Sequence, residues 1–160
     1  MRTFLSKLNF IIILSMFSLA QSYTVTQVWA MENDRFKEAQ AIVEKIVAQY
    51  PEIVRLTIHA VPTSEKNSRI IACNIKEKIG KPSDSEDLEA MKNNKTVILK
   101  EGDKLDVTAP VCDVAGKPIA ATGITLRLKK GESEDAVVKK AKAIAGELTK
   151  AIQQAGKSLW

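Results

Sequence analysis

The side chains best suited to chemistry are few: one histidine, His59, and two cysteines, Cys73 and Cys112. An imidazole acts as general base, metal ligand or haem ligand only with partners in place, and no motif here supplies them. There is no Cys-x-x-Cys-His sequence for covalent haem attachment, no serine-centred nucleophile motif, no phosphate-cradling glycine loop and no clustered set of metal ligands. His59 falls on the polar side of an alternating segment and reads as an exposed or hydrogen-bonded structural residue. The acidic run Asp84-Ser85-Glu86-Asp87 has a calcium-site composition, but its offsets do not fit an EF-hand loop, and a helix N-terminus accounts for the charges. The chain is therefore expected to be neither an enzyme nor a holder of a cofactor or metal. What remains is a polar, lysine-bearing stretch, with Asn74, Lys76, Lys78 and Lys81 close together.

The elements that must position these groups come after a leader. Arg2 and Lys7 precede an apolar run from Phe10 to Leu19, and Ser18-Leu19-Ala20 places small residues before Gln21. This is the three-part pattern of a secretory signal peptide, with cleavage expected after Ala20 and a second candidate site at Val28-Trp29-Ala30. About ten to thirteen apolar residues fall short of the roughly 20 that a spanning helix needs, and no later segment resembles a membrane span. A periplasmic or secreted protein is expected. Losing Arg2 and Lys7 lowers the net charge from +5 to +3, with the charges interspersed, so no nucleic-acid footprint is present.

Residues 21–32 are polar and irregular. Asn33 or Asp34 then caps a helix in which Phe36, Ala39, Ile42, Val43, Ile46 and Val47 recur at helical spacing until Pro51 ends it near Tyr50. The period then falls to two: Val54, Leu56, Ile58 and Ala60 alternate with Arg55, Thr57 and His59, giving a half-buried strand. Ser68 to Ile75 is a second strand, and a basic loop leads to a short acidic helix capped by Ser83 or Asp84, with Leu88 and Met91 on one side. Three more strands follow: Thr96 to Lys100, Leu105 to Val111, and Pro118 to Lys129. Pro110 marks an edge or a bulge in the second of these. Asp113 and Gly116 form a turn between the last two, and Gly123 within a strand marks a bulge or a close approach by another group. A final helix from Ser133 to Gln153 presents Val137, Ala141, Ile144, Leu148 and Ile152, with acids at its start and Lys150 near its end. One α+β domain over 33–154 is expected, built on an antiparallel sheet of about five strands, with 155–160 as a C-terminal tail.

This order, and the segments "YPEIVRLTIHAV", "IIACNIKEKIGKPSDSEDLEAM" and "DVTAPVCDVAGKPIAATGITLRL", resemble the extracytoplasmic PAS-like sensor domains called Cache domains. The match covers a first strand, an Asn-to-Gly passage from strand to helix, and a hairpin carrying Pro110, Asp113, Gly116, Lys117, Pro118 and Gly123, over about Asp34 to Leu128. The resemblance implies a strand order of 2-1-5-4-3. In that order Cys73 and Cys112 lie three strand spacings apart, about 14 Å, beyond the reach of a disulfide despite the oxidising compartment. It also implies a ligand between the sheet and the segment joining strands 2 and 3. There Asn74, Lys81 and Thr108 are the candidate ligand-binding residues, and a small anionic solute the candidate ligand. Receptor Cache domains usually continue into a membrane helix and a signalling domain, so a free sensor-like binding module is expected of a chain that stops at Trp160. The alternative is a structural or interaction protein of the same fold with a filled core, acting through a homodimer or a periplasmic partner.

Overall fold

The computed structural model describes residues 36–156 and 159–160. The expected signal peptide, the leader over 21–32 and the caps Asn33 and Asp34 lie outside them. Helix α1, Lys37–Gln49, starts from Phe36 without a side-chain cap. Then follow β1, Ile53–Ala60; β2, Arg69–Cys73; a 3-10 turn, Lys76–Lys78; α2, Ser85–Asn93; β3, Val97–Glu101; β4, Lys104–Cys112; β5, Pro118–Arg127; and α3, Glu134–Ala155. The strands form one antiparallel sheet in the order β2-β1-β5-β4-β3.

Period-two alternation sorts the strand residues onto two faces. Leu56, Ile58, Ala60, Leu105, Val107, Val111, Ile124 and Leu126 turn towards α1 and α3 and meet Ala39, Val43 and Ile46 of α1 and Val137, Ala141, Ile144 and Leu148 of α3 in one apolar core. Each of the large side chains contributes about 1.5–3 kcal/mol by leaving water, and this layer carries most of the stability. Ala120 and the small residues of α1 let the two helices lie close to the sheet. The core extends past α3: Leu159 is buried in it and the Trp160 carbonyl accepts a 2.9 Å hydrogen bond from Thr63, so the expected tail is anchored. Helix α3 also runs past Gln153 to Ala155, which leaves Lys150 inside it and no basic residue in its last turn.

Pro110 is accommodated in both of the ways its chemistry allows. Pairing of β3 with β4 stops at Val97 opposite Thr108, so Pro110 meets only Ala121 of β5, and the β4–β5 register shifts just beyond, between Val111 and Cys112. The turn that follows is held by Asp113, whose Oδ1 accepts from the backbone N–H groups of Ala115 and Lys117, each at 2.9 Å, while Gly116 takes φ +81°. Cys73 and Cys112 are free thiols on strands separated by β1 and β5, and burial pushes both thiol pKa values up. No described helix is long and apolar enough to cross a membrane.

The corner between α1 and β1 is tied to α3 by polar contacts: Tyr50 donates to Glu147 at 2.6 Å, and Lys140 meets Glu52 at 3.1 Å. A backbone hydrogen bond at its own residue, and then the Lys140 ammonium, hold the Glu52 carboxyl below its ordinary value of 4.5. A lowered carboxyl pKa contributes stability above the ordinary value that is lost as pH falls through the folded one. Glu52→Gln is therefore expected to reduce stability at pH 7 and to flatten its decline below about pH 4.5, as read by urea titrations at stepped pH.

Candidate functional site

The other face of the sheet carries Arg55, Thr57 and His59 from β1, Asp106 and Thr108 from β4, and Gly123 and Thr125 from β5. Register fixes these into rows. Arg55 and Asp106 both lie opposite Thr125, so the three stand side by side across β1, β5 and β4. The Arg55 guanidinium pairs with Asp106, and Thr125 donates to the same carboxylate at 3.1 Å. In the next row Thr57 and Thr108 both lie opposite Gly123.

Gly123 is an interlock. Its N–H donates to Thr57 Oγ1 at 3.1 Å and its carbonyl accepts from the same hydroxyl at 3.2 Å. A Cβ at this position would stand 2.8 Å from Thr57 Oγ1, so the close approach expected of this glycine is the approach of a neighbouring hydroxyl. Thr57 is in turn 2.9 Å from His59 Nε2, and His59 Nδ1 lies 3.0 Å from both Asp87 Oδ2 and Ser83 Oγ. Asp87 also accepts from the Asp84 N–H at 2.9 Å, closing the reciprocal capping box at the start of α2. His59 is only 5% exposed and Asp87 4%. The polar face of β1 is thus roofed by α2, and its histidine is a buried hydrogen-bonded residue. The same Nδ1 faces Asp87 and Ser83.

Between this floor and the segment from β2 to α2 lies a cavity of about 380 Å³. From the sheet it is lined by Arg55, Thr57, His59, Asp106 and Thr108, and from β2 and the segment that follows it by Ile70, Lys78, Lys81, Pro82, Asp84, Glu86 and Asp87. Arg55 is matched by Asp106 and His59 by Asp87, whereas Lys78 and Lys81 have no carboxylate partner among the described residues. No group of three potential metal ligands occurs among the described residues.

Of the residues singled out from sequence, Lys81 and Thr108 line this cavity and Asn74 does not. Asn74 works as a splice at the end of β2: its Oδ1 accepts from the Leu56 N–H at 2.8 Å and its Nδ2 donates to the Val54 carbonyl at 3.3 Å. It thereby replaces the next rung of the β1–β2 ladder and releases the chain into the 3-10 turn. Arg55, Asp106, Thr57, Ser83 and Asp87 are the polar residues that sequence reading passed over. The opposite charges of Arg55 and Asp106 on the polar positions of two strands flanking a third were a usable signal. Ser83 and Asp87 gave none, because their link to His59 crosses 24 or more residues.

No family model matches the chain, and no curated protein matches it. Solved structures do. A GAF domain from A. aeolicus Nlh2 in an inactive state superposes with a TM-score of 0.54 at 12% identity, over 78% of this chain and 97% of that one. The GAF domain region of a Geobacter sulfurreducens protein gives 0.52 at 12% identity, over 80% and 99%. A GAF/HD domain protein from the same organism gives 0.52 at 6% identity, over 78% and 95%. The fold is of the GAF type. It belongs to the PAS-like group of folds, and the likeness found is to GAF domains where the sequence motifs resembled Cache domains. At these identities the likeness establishes architecture alone.

Three substitutions, two in the network and one outside it, have defined effects on stability. Gly123→Ala is expected to cost about 1–3 kcal/mol in denaturant unfolding, because the Thr57 hydroxyl must give way. Gly146→Ala, on the exposed side of α3 with nothing within 4 Å of the new Cβ, is expected to stabilise by up to about 1 kcal/mol in the same assay. Asp87→Ala, which strips the acceptor from both His59 and the Asp84 N–H, is expected to cost on the order of 2–4 kcal/mol.

Proposed function

We propose that this protein is a sensor-like module that holds a small polar molecule, without covalent attachment or catalysis, in the cavity under the β2–α2 segment. One observation carries the reading: convergent polar groups line a cavity of about 380 Å³ on the sheet face opposite the apolar core. Sites for small molecules generally fall between about 300 and 1,000 Å³ and use a few fixed polar groups for orientation. The floor is rigid, since Thr57, His59, Asp106 and Thr108 all belong to strands held in register. Lys78 and Lys81 have no ion-pair partner among the described residues and favour a ligand presenting a carboxylate or similar anion to them. The Glu86 and Asp84 carboxylates of the same lining favour hydrogen-bond donors elsewhere on the ligand. Thr108, 4% exposed, supplies a fixed hydroxyl beneath.

The fold likeness to GAF domains supports a sensor-like role by analogy, and the hairpin and Asn-to-Gly motifs support the narrower Cache-like reading. The signal-peptide pattern at residues 1–20 supports action outside the cytoplasm. The alternative of a filled fold working solely through a partner requires a closed polar face, and the cavity argues against it.

The test is thermal-shift and calorimetric titration of the purified protein with small mono- and dicarboxylates, preceded by native mass spectrometry of protein from its own host. A co-purifying mass or a saturable carboxylate response is expected. Lys81→Ala and Thr108→Val should each weaken binding roughly tenfold, while Asn74→Ala should lower thermal stability and leave affinity unchanged. An apo mass together with no response across the panel overturns the proposal.

A further inference from the structure

The two edges of the sheet are finished differently. The β2 edge is covered along its length. Near Cys73 the Gln40 side chain of α1 brackets the backbone, donating to the Cys73 carbonyl at 3.1 Å and accepting its N–H at 3.0 Å. Further along, residues 80–83 return beside the strand, with Ile70 N–H to the Lys81 carbonyl at 2.9 Å and Gly80 N–H to the Ile70 carbonyl at 2.8 Å. The β3 edge has no such cover: among the described residues nothing pairs with its outer side, and the strand carries no proline or bulge to blunt it. It also exposes two large apolar side chains on opposite faces, Ile98 at 44% and Leu99 at 40%.

The residues of this edge are complementary to themselves when read antiparallel. With Ile98 at the centre of a two-fold pairing, Ile98 meets the partner's Ile98 and Val97 meets the partner's Leu99. Thr96 lies opposite the partner's Lys100, and Lys95 opposite the partner's Glu101. Every apolar residue then faces an apolar one, and opposite charges close both ends. Lys95 and Glu101 are exposed and have no ion-pair partner among the described residues, whereas Lys100 is already paired with Glu134 on α3. Centring the pairing at Leu99 instead would set Lys100 against the partner's Ile98 and Glu101 against the partner's Val97, so the pattern selects one register.

We propose that the occupant of the β3 edge is a second copy of this chain, joined antiparallel about Ile98 so that the two sheets become one. Identical edges meeting across a two-fold axis form a closed pair, which caps both edges at once. The interface is a single strand wide, so the dimer is a reversible one that forms with concentration.

Sedimentation velocity of the purified protein over a range of concentrations tests this, with Lys95→Glu, Glu101→Lys and the double exchange alongside. The unaltered protein should pass reversibly from monomer to dimer. Each single substitution sets like charges together at both ends of the interface and should weaken dimerisation roughly tenfold. The double exchange restores opposite charges and should recover the original constant, an outcome that general surface damage would not give. A protein that stays monomeric throughout overturns the proposal. So does a dimer indifferent to the single substitutions, or a double exchange as weak as its parents.

Discussion

The Thr57 hydroxyl, held between the two backbone groups of Gly123, is the contact on which the polar half of the molecule is built. A side chain at position 123 would displace the Thr57 hydroxyl at the middle of the sheet. With glycine there, Thr57 stays low and presents its oxygen to His59, and His59 carries the connection to Asp87 at the first turn of α2. Five groups from three elements are thereby satisfied in a place where an unmatched polar atom would cost about 1–3 kcal/mol. Among the described residues no buried side-chain nitrogen or oxygen lacks a partner, so the interlock is complete. The position of α2 over the sheet, and hence the height of the cavity roof, follows from it.

The two faces of the sheet divide the work. The face towards α1 and α3 is apolar and tightly filled, and it supplies the free energy of folding. The opposite face holds polar groups in matched sets: Arg55 with Asp106 and Thr125, His59 with Asp87. Buried polar groups are tolerated only where they are hydrogen-bonded, so these sets leave little freedom for rearrangement. Lys78, Lys81, Asp84 and Glu86 of the cavity lining are the exception, having no ion-pair partner among the described residues and being set at the margin of the paired floor.

Much of this architecture was legible in the residues. The alternation of Leu56, Ile58 and Ala60 with Arg55, Thr57 and His59 assigned the two faces of β1 correctly, because a strand has a period of two; at its start a register irregularity between Ile53 and Arg55 breaks that period, so Ile53 and not Val54 enters the core. The Asp113–Gly116 turn was legible because its chemistry is local. What sequence did not disclose was that the polar face is itself covered. Alternation distinguishes the two sides of a strand, but it does not distinguish water from a helix such as α2 packed on the polar side. The same blindness gave Asn74 to the cavity: an amide at the end of a strand looks alike whether it meets a ligand or the backbone of the neighbouring strand. Lys81 and Thr108 were placed near each other through the implied strand order, which brings β4 across from the β2–α2 segment.

That segment serves two masters. Residues 80–83 hydrogen-bond along β2, through Ile70 and Lys81, Gly80 and Ile70, and Ser83 and Ser68 at 3.1 Å, and Lys81 and Pro82 among them wall the cavity. Lifting the wall to admit a molecule would break those bonds together and bare a strand edge to solvent. The cavity's dimensions are thus tied to the strand edge itself, and of its lining only side chains such as Lys78, Lys81 and Glu86 can turn without breaking those bonds.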